Sequence, residues 1–351
     1  MSEPAFTGAQ LSAYLARIGL HTANNATSST LPVTLDTLRM LQVAQLQTVP
    51  YENLSLHWRP NDAIRGSLPP CGISPDAVYA KMVSSRSRGG YCLELNYLLA
   101  YALRAVGFSV DCCTARWLVP MGHGAVESAD ECSSSSGSSA AADDEAPVLV
   151  PDLSSIWPTH MLLVVSAPAS PPDRYLVDVG LAKNSLTAPI KLQDGATGHG
   201  IAGKQVRLRK VPASAGNSSD DAAASPQAWI VQFRLPGHGK WTNAIYFIDQ
   251  PAEQSAVDQI HQWMSRAPES VTPEVPFATM VVPGVGQVSL AGNTLKIRGC
   301  DPADPAVADP TRDQPVREVV DPEAAFERYF GIKGYMHGAT LVKVGETPPA
   351  W

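Results

Sequence analysis

The chain has 351 residues, a formal charge of −7 and six cysteines. This acidic balance, with no cluster of lysine and arginine among aromatic residues, argues against a nucleic-acid partner. No apolar run approaches the ~18 residues needed to cross a bilayer, and the N-terminus has neither the charged start nor the apolar stretch of a signal peptide, so we expect no membrane contact. Six cysteines without Cys-x-x-Cys spacing predict neither a disulfide framework nor a metal site, and a reducing cytoplasm fits best.

The first part of the chain is predicted to be helical. Thr7-Gly-Ala-Gln10 has the spacing of a capping box and is followed by apolar residues at helical intervals. A second helix is expected to start at Thr34. A third begins at Cys92, where apolar residues recur at helical spacing as far as Gly107. These segments predict a helical domain over residues 1–107 that carries Cys92.

From Phe108 onward the pattern is that of short strands separated by turn signals. The predicted strands cover Val110–Val119, His160–Ser166, Tyr175–Val179, Gln205–Val211 and Ala228–Leu235. Several antiparallel strands of this kind predict a small β-barrel, assigned to residues 108–235.

The last part of the chain, residues 236–351, is predicted to be an α/β lid in which Asp321 caps a helix that ends at Gly331. The chain is therefore expected to be an α+β protein with an N-terminal helical bundle, a central antiparallel β-barrel and a C-terminal α/β lid. Segments rich in Ser, Ala, Asp or Pro cannot bury enough apolar surface to pack a core. Three such segments are expected to be solvated loops: Glu127–Pro147, Ala213–Pro226 and Asp301–Pro315.

Cys92 lies in the stretch Arg88-Gly-Gly-Tyr-Cys-Leu-Glu-Leu-Asn96, directly after a turn that the two glycines permit. At the start of a helix, unpaired backbone N–H groups and the helix dipole favour negative charge, which predicts a lowered thiol pKa and a nucleophilic thiolate. A buried cysteine in an apolar helix is an equally good interpretation of the position alone. Deciding between a nucleophilic and a structural cysteine requires a second group that could activate the thiol.

His160 and Asp178 are the candidate partners. His160 opens one apolar strand, and Asp178 interrupts a second one beyond a turn-rich connector, so a hairpin would bring them together. A carboxylate inside an apolar strand is costly unless it is paired, and an imidazole is a suitable partner. The other histidines fall in loops or on a predicted helix face. We therefore interpret Cys92, His160 and Asp178 as nucleophile, base and orienting carboxylate.

These residues resemble the arylamine N-acetyltransferases, which use a Cys-His-Asp triad. The motifs that carry the resemblance extend over nearly the whole chain: Tyr14–Gly19, Val49–Leu54, Arg88–Asn96, Thr159-His160, Val177–Gly180, Trp263–Ser270 and Ser289–Gly292. Two departures stand out. Leu181-Ala182 replaces the Phe-Gly that usually follows in the family, on the acyl-acceptor side, and Val281–Gly284 replaces a cysteine-arginine pattern.

The resemblance implies transfer of an acetyl group, or a malonyl group as in some fungal members, from acyl-CoA to an arylamine or arylhydrazine. The implied route is ping-pong through an acyl-cysteine on Cys92, in the setting of xenobiotic metabolism. Acetyl-CoA or malonyl-CoA would be a co-substrate, with no permanently bound cofactor. By motif position, Thr159 and Trp263 would lie near CoA.

Two other classes of protein remain open. A papain-like or transglutaminase-like hydrolase would use the same three residues, with water in place of the amine. A catalytically silent binding protein would need a broken triad, whereas all three residues are present. For the other polar residues of the cysteine motif we expect structural roles, with Arg88 paired to Glu94 and Asn96 capping a neighbouring loop.

Overall fold

The computed structural model describes residues 4–20, 31–57, 72–118, 148, 153, 156–166, 173–211, 226–235, 240–266, 276–283, 285–299 and 316–333. Within them the helices are α1 (Gly8–Arg17), α2 (Leu35–Thr48), α3 (Leu54–His57), α4 (Pro75–Val78), α5 (Cys92–Val106), α6 (Gln254–Arg266) and α7 (Pro322–Phe330). The strands are β1 (Tyr51–Glu52), β2 (Ser109–Trp117), β3 (His160–Ser166), β4 (Arg174–Val177), β5 (Ile190–Lys191), β6 (Thr197–His199), β7 (Gln205–Lys210), β8 (Ala228–Arg234), β9 (Thr242–Ile248), β10 (Phe277–Val282), β11 (Gly286–Ala291), β12 (Thr294–Arg298) and β13 (Val316–Val319). A π-helical turn, Tyr79–Ser84, follows α4 directly.

Helix α5 is the centre of the helical region. Its first twelve residues, Cys92 to Leu103, are all buried, and all but a few of them are apolar. The predicted starts of α1 and α2 are confirmed, because the side chain of Thr7 caps α1 in a capping box and that of Thr34 caps α2. These helices share one hydrophobic core with α6 and with one face of β2 and β3.

The central sheet has eight antiparallel strands in the order β5-β4-β3-β2-β9-β8-β7-β6. A bridge between Leu186 and Gly200 links the segments beside its two outer strands, so the sheet is nearly closed and the predicted antiparallel barrel is confirmed. Strand β9, Thr242–Ile248, was assigned to the lid but pairs with both β2 and β8. The barrel therefore extends past the predicted boundary at residue 235, because β9 lies between β2 and β8 in the described sheet and pairs with both. The rest of the predicted division into domains stays a prediction.

Strand β2 separates two cores. Because successive side chains of a strand point to opposite faces, Cys112 packs into the core shared with α5, whereas Cys113 lies inside the barrel. This arrangement of the adjacent cysteines follows from the strand predicted around them. As a result, the start of α5 packs against β2 and β3.

A second antiparallel sheet, β1-β10-β11-β12-β13, packs against α7. Helix α7 begins after Asp321, whose side chain accepts from the Glu323 N–H, and stops at the left-handed Gly331, as predicted. Strand β1 comes from the helical region and ties the segment before the cysteine turn to this sheet. The predicted loops Glu127–Pro147 and Asp301–Pro315, and all of Ala213–Pro226 but its last residue, lie outside the described residues. Of the helices described, none has the length and apolar character needed to cross a membrane.

Candidate active site

Cys92 is the first residue of α5 and is 3% exposed. The turn before it touches the segment that leads into β1, where Gly90 bridges to Tyr51. A Cβ on Gly89 would lie 1.9 Å from the carbonyl oxygen of Pro50, a distance that only glycine avoids. Gly89 is therefore required by this close backbone approach, whereas a Cβ on Gly90 would lie 2.8 Å from Cβ of Glu94 and 2.9 Å from Sδ of Met82.

A buried group of charges lies beneath this turn. The Arg88 guanidinium donates to Glu52 Oε1 at 2.7 Å, and Lys81 Nζ donates to Glu94 Oε2 at 2.6 Å. The expected pairing of Arg88 with Glu94 is therefore wrong. Each residue finds its partner on another segment, since the close approach of Gly90 to β1 brings Glu52 to Arg88. Burial alone raises the pKa of Glu52, but the charges of Arg88 and Lys81 outweigh it and hold that pKa below its ordinary value.

His160 and Asp178 are in direct contact. Nε2 of His160 lies 2.6 Å from Oδ2 of Asp178, and both side chains are buried. The pairing of β3 with β4 sets this distance, as the predicted hairpin required. Asp178 does not interrupt β4, however, but follows its last residue, Val177. Asp178 therefore lies just outside the hydrogen-bonded strand, and its carboxylate turns towards the start of β3.

Asn96 holds the carboxylate of Asp178 from the side of α5. Its Nδ2 donates to Asp178 Oδ1 at 3.0 Å and to the Met161 carbonyl at 2.6 Å, and its Oδ1 accepts from the Val179 N–H at 3.1 Å. The Gly180 N–H donates to the same carboxylate oxygen at 2.8 Å. From the sequence, the predicted role of Asn96 is only that of a loop cap. Its position one helical turn after Cys92, on the same face, was the signal that could have revealed its place in the site.

Gly180 allows the loop after Asp178 to lie on the start of α5. A Cβ at this position would come within 2.7 Å of both Asn96 Nδ2 and the Cys92 carbonyl oxygen. Any larger residue would push the loop away from the helix. The close packing of helix and loop therefore depends on glycine here, and with it the contact between Asn96 and Asp178.

Cys92 faces the beginning of β3. Its Sγ lies 3.8 Å from the carbonyl oxygen of Thr159, the residue before His160. Nδ1 of His160 is buried and has no hydrogen-bond partner among the described residues, so the imidazole keeps one ring nitrogen available for a proton. The structure thus brings all three predicted residues into one buried site. Their catalytic roles stay a prediction.

The thiol of Cys92 is not in the environment that its helix position suggested. Burial raises its pKa, and the negative charge of Asp178 raises it further, whereas hydrogen bonds from backbone N–H groups at the helix start only partly oppose this. The expectation of a lowered pKa for the resting thiol is therefore wrong. Desolvation exceeds the helix effect because the sulfur is almost fully enclosed.

Aromatic side chains surround the site. The ring of Trp117 lies 5.9 Å from that of His160. The hydroxyl of Tyr91, the residue before Cys92, is 2.5 Å from Nδ1 of His261 on α6. The predicted helical position of His261 is confirmed, since it lies on α6, although the sequence assigns it no function. Trp263, one of the two predicted CoA contacts, is half-buried on the same helix, and Thr159, the other, is buried beside Cys92.

The chain matches a family model described as N-acetyltransferase over residues 34–130 and 151–334. This match covers well over half of the sequence, and the chain belongs to this family. An arylamine N-acetyltransferase of Mycolicibacterium smegmatis is 33% identical over 187 residues, which are 53% of this chain and 51% of the relative. An N-malonyltransferase of Gibberella moniliformis is 30% identical over 162 residues, or 46% of this chain and 38% of the relative. The chain thus spans about half the length of the first of these relatives, and less of the second.

Solved structures share the fold over almost the full length. The structure of a Salmonella typhimurium arylamine N-acetyltransferase superposes with a TM-score of 0.61 at 23% identity, covering 97% of this chain and 96% of that one. The Mycobacterium marinum arylamine N-acetyltransferase, whose structure was determined in complex with CoA, superposes with a TM-score of 0.60 at 23% identity, over 92% of each chain. These similarities establish the α+β fold of the chain.

Proposed function

We propose that this protein transfers an acyl group from acyl-CoA to an arylamine or arylhydrazine through an acyl-cysteine on Cys92. One observation carries the proposal. His160 is held by Asp178 through Nε2 and keeps Nδ1 unpartnered among the described residues, on the strand whose preceding carbonyl contacts Cys92 Sγ. A base oriented by a carboxylate beside a thiol is the arrangement that nucleophilic catalysis requires. Membership in the N-acetyltransferase family supports the acyl-transfer chemistry.

The first half-reaction begins with proton transfer from Cys92 Sγ to His160 Nδ1. The thiolate attacks the carbonyl carbon of the acyl-CoA thioester, and the oxyanion is held by backbone N–H groups at the start of α5. When the intermediate collapses, the bond between the acyl carbon and the CoA sulfur breaks. The imidazolium returns its proton to the departing thiolate, which leaves a neutral imidazole and an acyl-cysteine.

Because Cys92 is buried, its thiolate has to be stabilised by His160 and Asp178. Since burial raises the thiol pKa, a lone thiolate at this site is unfavourable. A thiolate formed together with an imidazolium is a neutral pair, and the Asp178 carboxylate stabilises the positive ring through Nε2. Nucleophile formation therefore depends on the pair of side chains and not on the helix terminus alone.

In the second half-reaction the amine nitrogen attacks the acyl carbon of the acyl-cysteine. His160 takes a proton from the amine, the bond to Sγ breaks, and Cys92 regains its proton as the amide leaves. Exchange of one thioester for another costs little free energy, so the acyl-enzyme can accumulate when no amine is present. This sequence of steps gives ping-pong kinetics.

The acyl donor is proposed to be acetyl-CoA, with malonyl-CoA as the alternative that the fungal relative suggests. Thr159 and Trp263 are proposed to border the CoA chain, because Thr159 touches the reacting sulfur and Trp263 lies on the helix that contacts Tyr91. A reducing cytoplasm would keep Cys92 as a thiol, together with Cys112 and Cys113, the other two cysteines among the described residues. A role in xenobiotic metabolism is part of the same proposal.

Mass analysis of the intact protein tests this function. Incubation with acetyl-CoA or malonyl-CoA alone should add one acyl group, and later addition of an arylamine should remove it. Cys92→Ser should stay unmodified, because an alkoxide forms far less readily than a thiolate near neutral pH. Cys112→Ser is a matched control, since Cys112 is also buried but packs on β2 against α5. Absence of an acyl-enzyme with both donors, or full activity of folded Cys92→Ser, would contradict the proposal; release of free acid without amide would indicate a hydrolase.

A further inference from the structure

A tyrosine and a histidine join the start of α5 to α6. The hydroxyl of Tyr91, the residue before Cys92, lies 2.5 Å from Nδ1 of His261, and the two ring planes differ by 16°. We propose that His261 is a positioning residue for acyl transfer, which fixes Cys92 by holding the side chain of Tyr91. The inference rests on the proposed function, because the reaction that it serves is acylation of Cys92.

Tyr91 determines where α5 begins. It is the N-cap residue of the helix, with extended backbone angles, and its carbonyl oxygen accepts from the Leu95 N–H at 3.0 Å. Its own N–H donates to Glu94 Oε2 at 3.2 Å. One peptide bond joins Tyr91 to Cys92, so a shift of Tyr91 displaces the backbone of Cys92 with it. The position of the nucleophile therefore depends on what holds Tyr91.

The side chain of Tyr91 is enclosed together with its hydroxyl. The residue is 1% exposed, and a buried phenol needs a hydrogen-bond partner for its hydroxyl. His261 provides one in either neutral tautomer, because Nδ1 accepts the phenol proton when it carries none and donates its own when it carries one. Contact between the hydroxyl and Nδ1, with the rings close to parallel, sets both the place and the tilt of the phenol ring.

His261 is held in turn by the packing of α6. Val257, Ile260 and Met264 of this helix are buried in the core that also contains α5. Residues three or four apart lie on one face of a helix. His261 follows Val257 by four positions and precedes Met264 by three, so it lies on this buried face and is itself half-buried. The packed face of α6 thus presents His261 to Tyr91.

Acyl transfer is sensitive to the position of Cys92. Its Sγ has to reach both His160 and the thioester carbon, while backbone N–H groups at the start of α5 hold the oxyanion. On the barrel side, Sγ lies 3.8 Å from the Thr159 carbonyl oxygen. The contact between Tyr91 and His261 acts from a different element, α6. Because a displacement of about 1 Å can cost about a hundredfold in rate, loss of this contact should appear as a loss of rate.

A second way for His261 to act is through donor binding. Helix α6 also carries Trp263, which is proposed to border the CoA chain and packs against the same core. The two routes differ in their kinetics. A displaced Cys92 lowers the limiting rate of acylation, whereas a displaced Trp263 raises the concentration of acetyl-CoA that gives half of that rate. The proposal predicts the first pattern.

Single-turnover acylation by acetyl-CoA, followed by stopped flow, tests the proposal. Tyr91→Phe keeps the ring and removes the hydroxyl, and His261→Leu keeps the branch at Cγ and removes Nδ1. Each should lower the limiting rate at least about tenfold and change the half-saturating concentration less than about threefold. The double variant should be no slower than the slower single variant, since both changes remove one contact. His261→Asn should restore most of the rate, because asparagine places a polar atom where Nδ1 lies.

Tyr101→Phe is the matched control. Tyr101 lies further along α5 at 3% exposure, and its hydroxyl donates to the Ile73 carbonyl at 2.7 Å. The change removes a buried hydrogen bond from the same helix, away from Cys92. It should lower Tm but leave the limiting rate of the folded protein unchanged. A loss of rate confined to the Tyr91 and His261 variants would separate positioning from a general loss of stability.

Alkylation of Cys92 by iodoacetamide distinguishes this proposal from the proposed function, because the reaction needs the thiolate but no acyl donor. If the intact protein forms no acyl-enzyme, the proposed function is wrong, and alkylation then decides whether His261 positions Cys92 beside His160. We expect Tyr91→Phe and His261→Leu to be alkylated at least about tenfold more slowly than Tyr101→Phe, since a buried thiolate away from the imidazole is unfavourable.

Four results would overturn the proposal. The first is a limiting acylation rate in folded Tyr91→Phe and His261→Leu equal to that of Tyr101→Phe, or alkylation that is equally fast or faster. The second is an unchanged limiting rate with a raised half-saturating concentration, which would show that His261 acts on donor binding. The third is multiplication of the two single effects in the double variant. The fourth is a rate in His261→Asn no higher than in His261→Leu, which would show that the contact at Nδ1 is not what matters.

Discussion

Nδ2 of Asn96 lies 3.0 Å from Oδ1 of Asp178, so that one carboxylate oxygen is held by α5 while the other contacts His160. Asn96 also satisfies the Met161 carbonyl and the Val179 N–H. The side-chain amide of Asn96 thus links α5, which carries Cys92, to the start of β3, which carries His160, and to the segment after β4, which carries Asp178. We propose that Asn96 is a positioning residue for the site.

Asn96→Ala should lower both stability and the rate of Cys92 acylation. It removes one donor from Asp178 and leaves buried polar groups of the backbone unpaired, at a cost of about 1–3 kcal/mol each. Stopped-flow acylation by acetyl-CoA, corrected for the folded fraction, measures the functional part. The matched control is Gln45→Ala, since Gln45 is an equally buried amide that joins Tyr14 to the Leu95 carbonyl. Equal acylation rates in the two folded variants would refute a positioning role.

Asp178→Asn should slow acylation of Cys92 by about three orders of magnitude or more, as loss of the orienting carboxylate does in comparable triads. An amide can still reach His160, but it favours the wrong tautomer and cannot stabilise an imidazolium. The rate of Cys92 alkylation by iodoacetamide, followed as a function of pH, reports on the thiolate–imidazolium pair directly. Near-normal alkylation of this variant at mildly acidic pH would count against the assigned role.

The buried charges at the cysteine turn should make stability fall in acid. The pKa of Glu52 is lowered in the folded protein, so its contribution is fully present above the unfolded pKa of 4.5 and is lost as pH falls through the folded value. Urea unfolding at a series of pH values should show this loss. Glu52→Gln should remove this part of the pH dependence and reduce stability near neutral pH by about 3–5 kcal/mol, because Arg88 loses the charge of its buried carboxylate partner and Lys81 keeps only Glu94 of the two carboxylates near it. The exposed variant Asp36→Asn is the control, and an identical pH dependence in Glu52→Gln and Asp36→Asn would disprove the link.

Ala182→Gly should stabilise the protein by about 1 kcal/mol. Ala182 has a φ of 51°, in the left-handed region that costs an L-residue free energy, and glycine adopts it freely. The gain is partly offset by the greater entropy of glycine in the unfolded chain. Thermal unfolding compares this variant with Ala13→Gly in the middle of α1, where the same change should destabilise by about 1 kcal/mol. A loss of stability in Ala182→Gly as large as that in Ala13→Gly would show that the strain is absent.

The local elements and the three candidate residues were determined by the sequence itself. Capping residues at Thr7, Thr34 and Asp321 mark helix starts by chemistry that acts within one turn. Apolar runs likewise predict strands from a few neighbouring residues, since alternation indicates a half-buried strand and a continuous run a fully buried one. The histidine and the carboxylate at the strand ends stood out because a polar group in an apolar segment needs a partner.

Only the tertiary structure decided which segments meet. Arg88 pairs with Glu52 and Glu94 with Lys81 because β1 and the π-helical turn fold against the cysteine turn, across separations that no local pattern encodes. The pKa of Cys92 is raised, whereas its position at the start of a helix predicts a lowered pKa. The cause is burial against the barrel, which desolvates the sulfur more strongly than the helix start favours its negative charge. Strand β9 lies in the barrel because pairing with β2 and β8 completes the sheet, and hydrogen bonds between distant strands carry no signature in either strand alone.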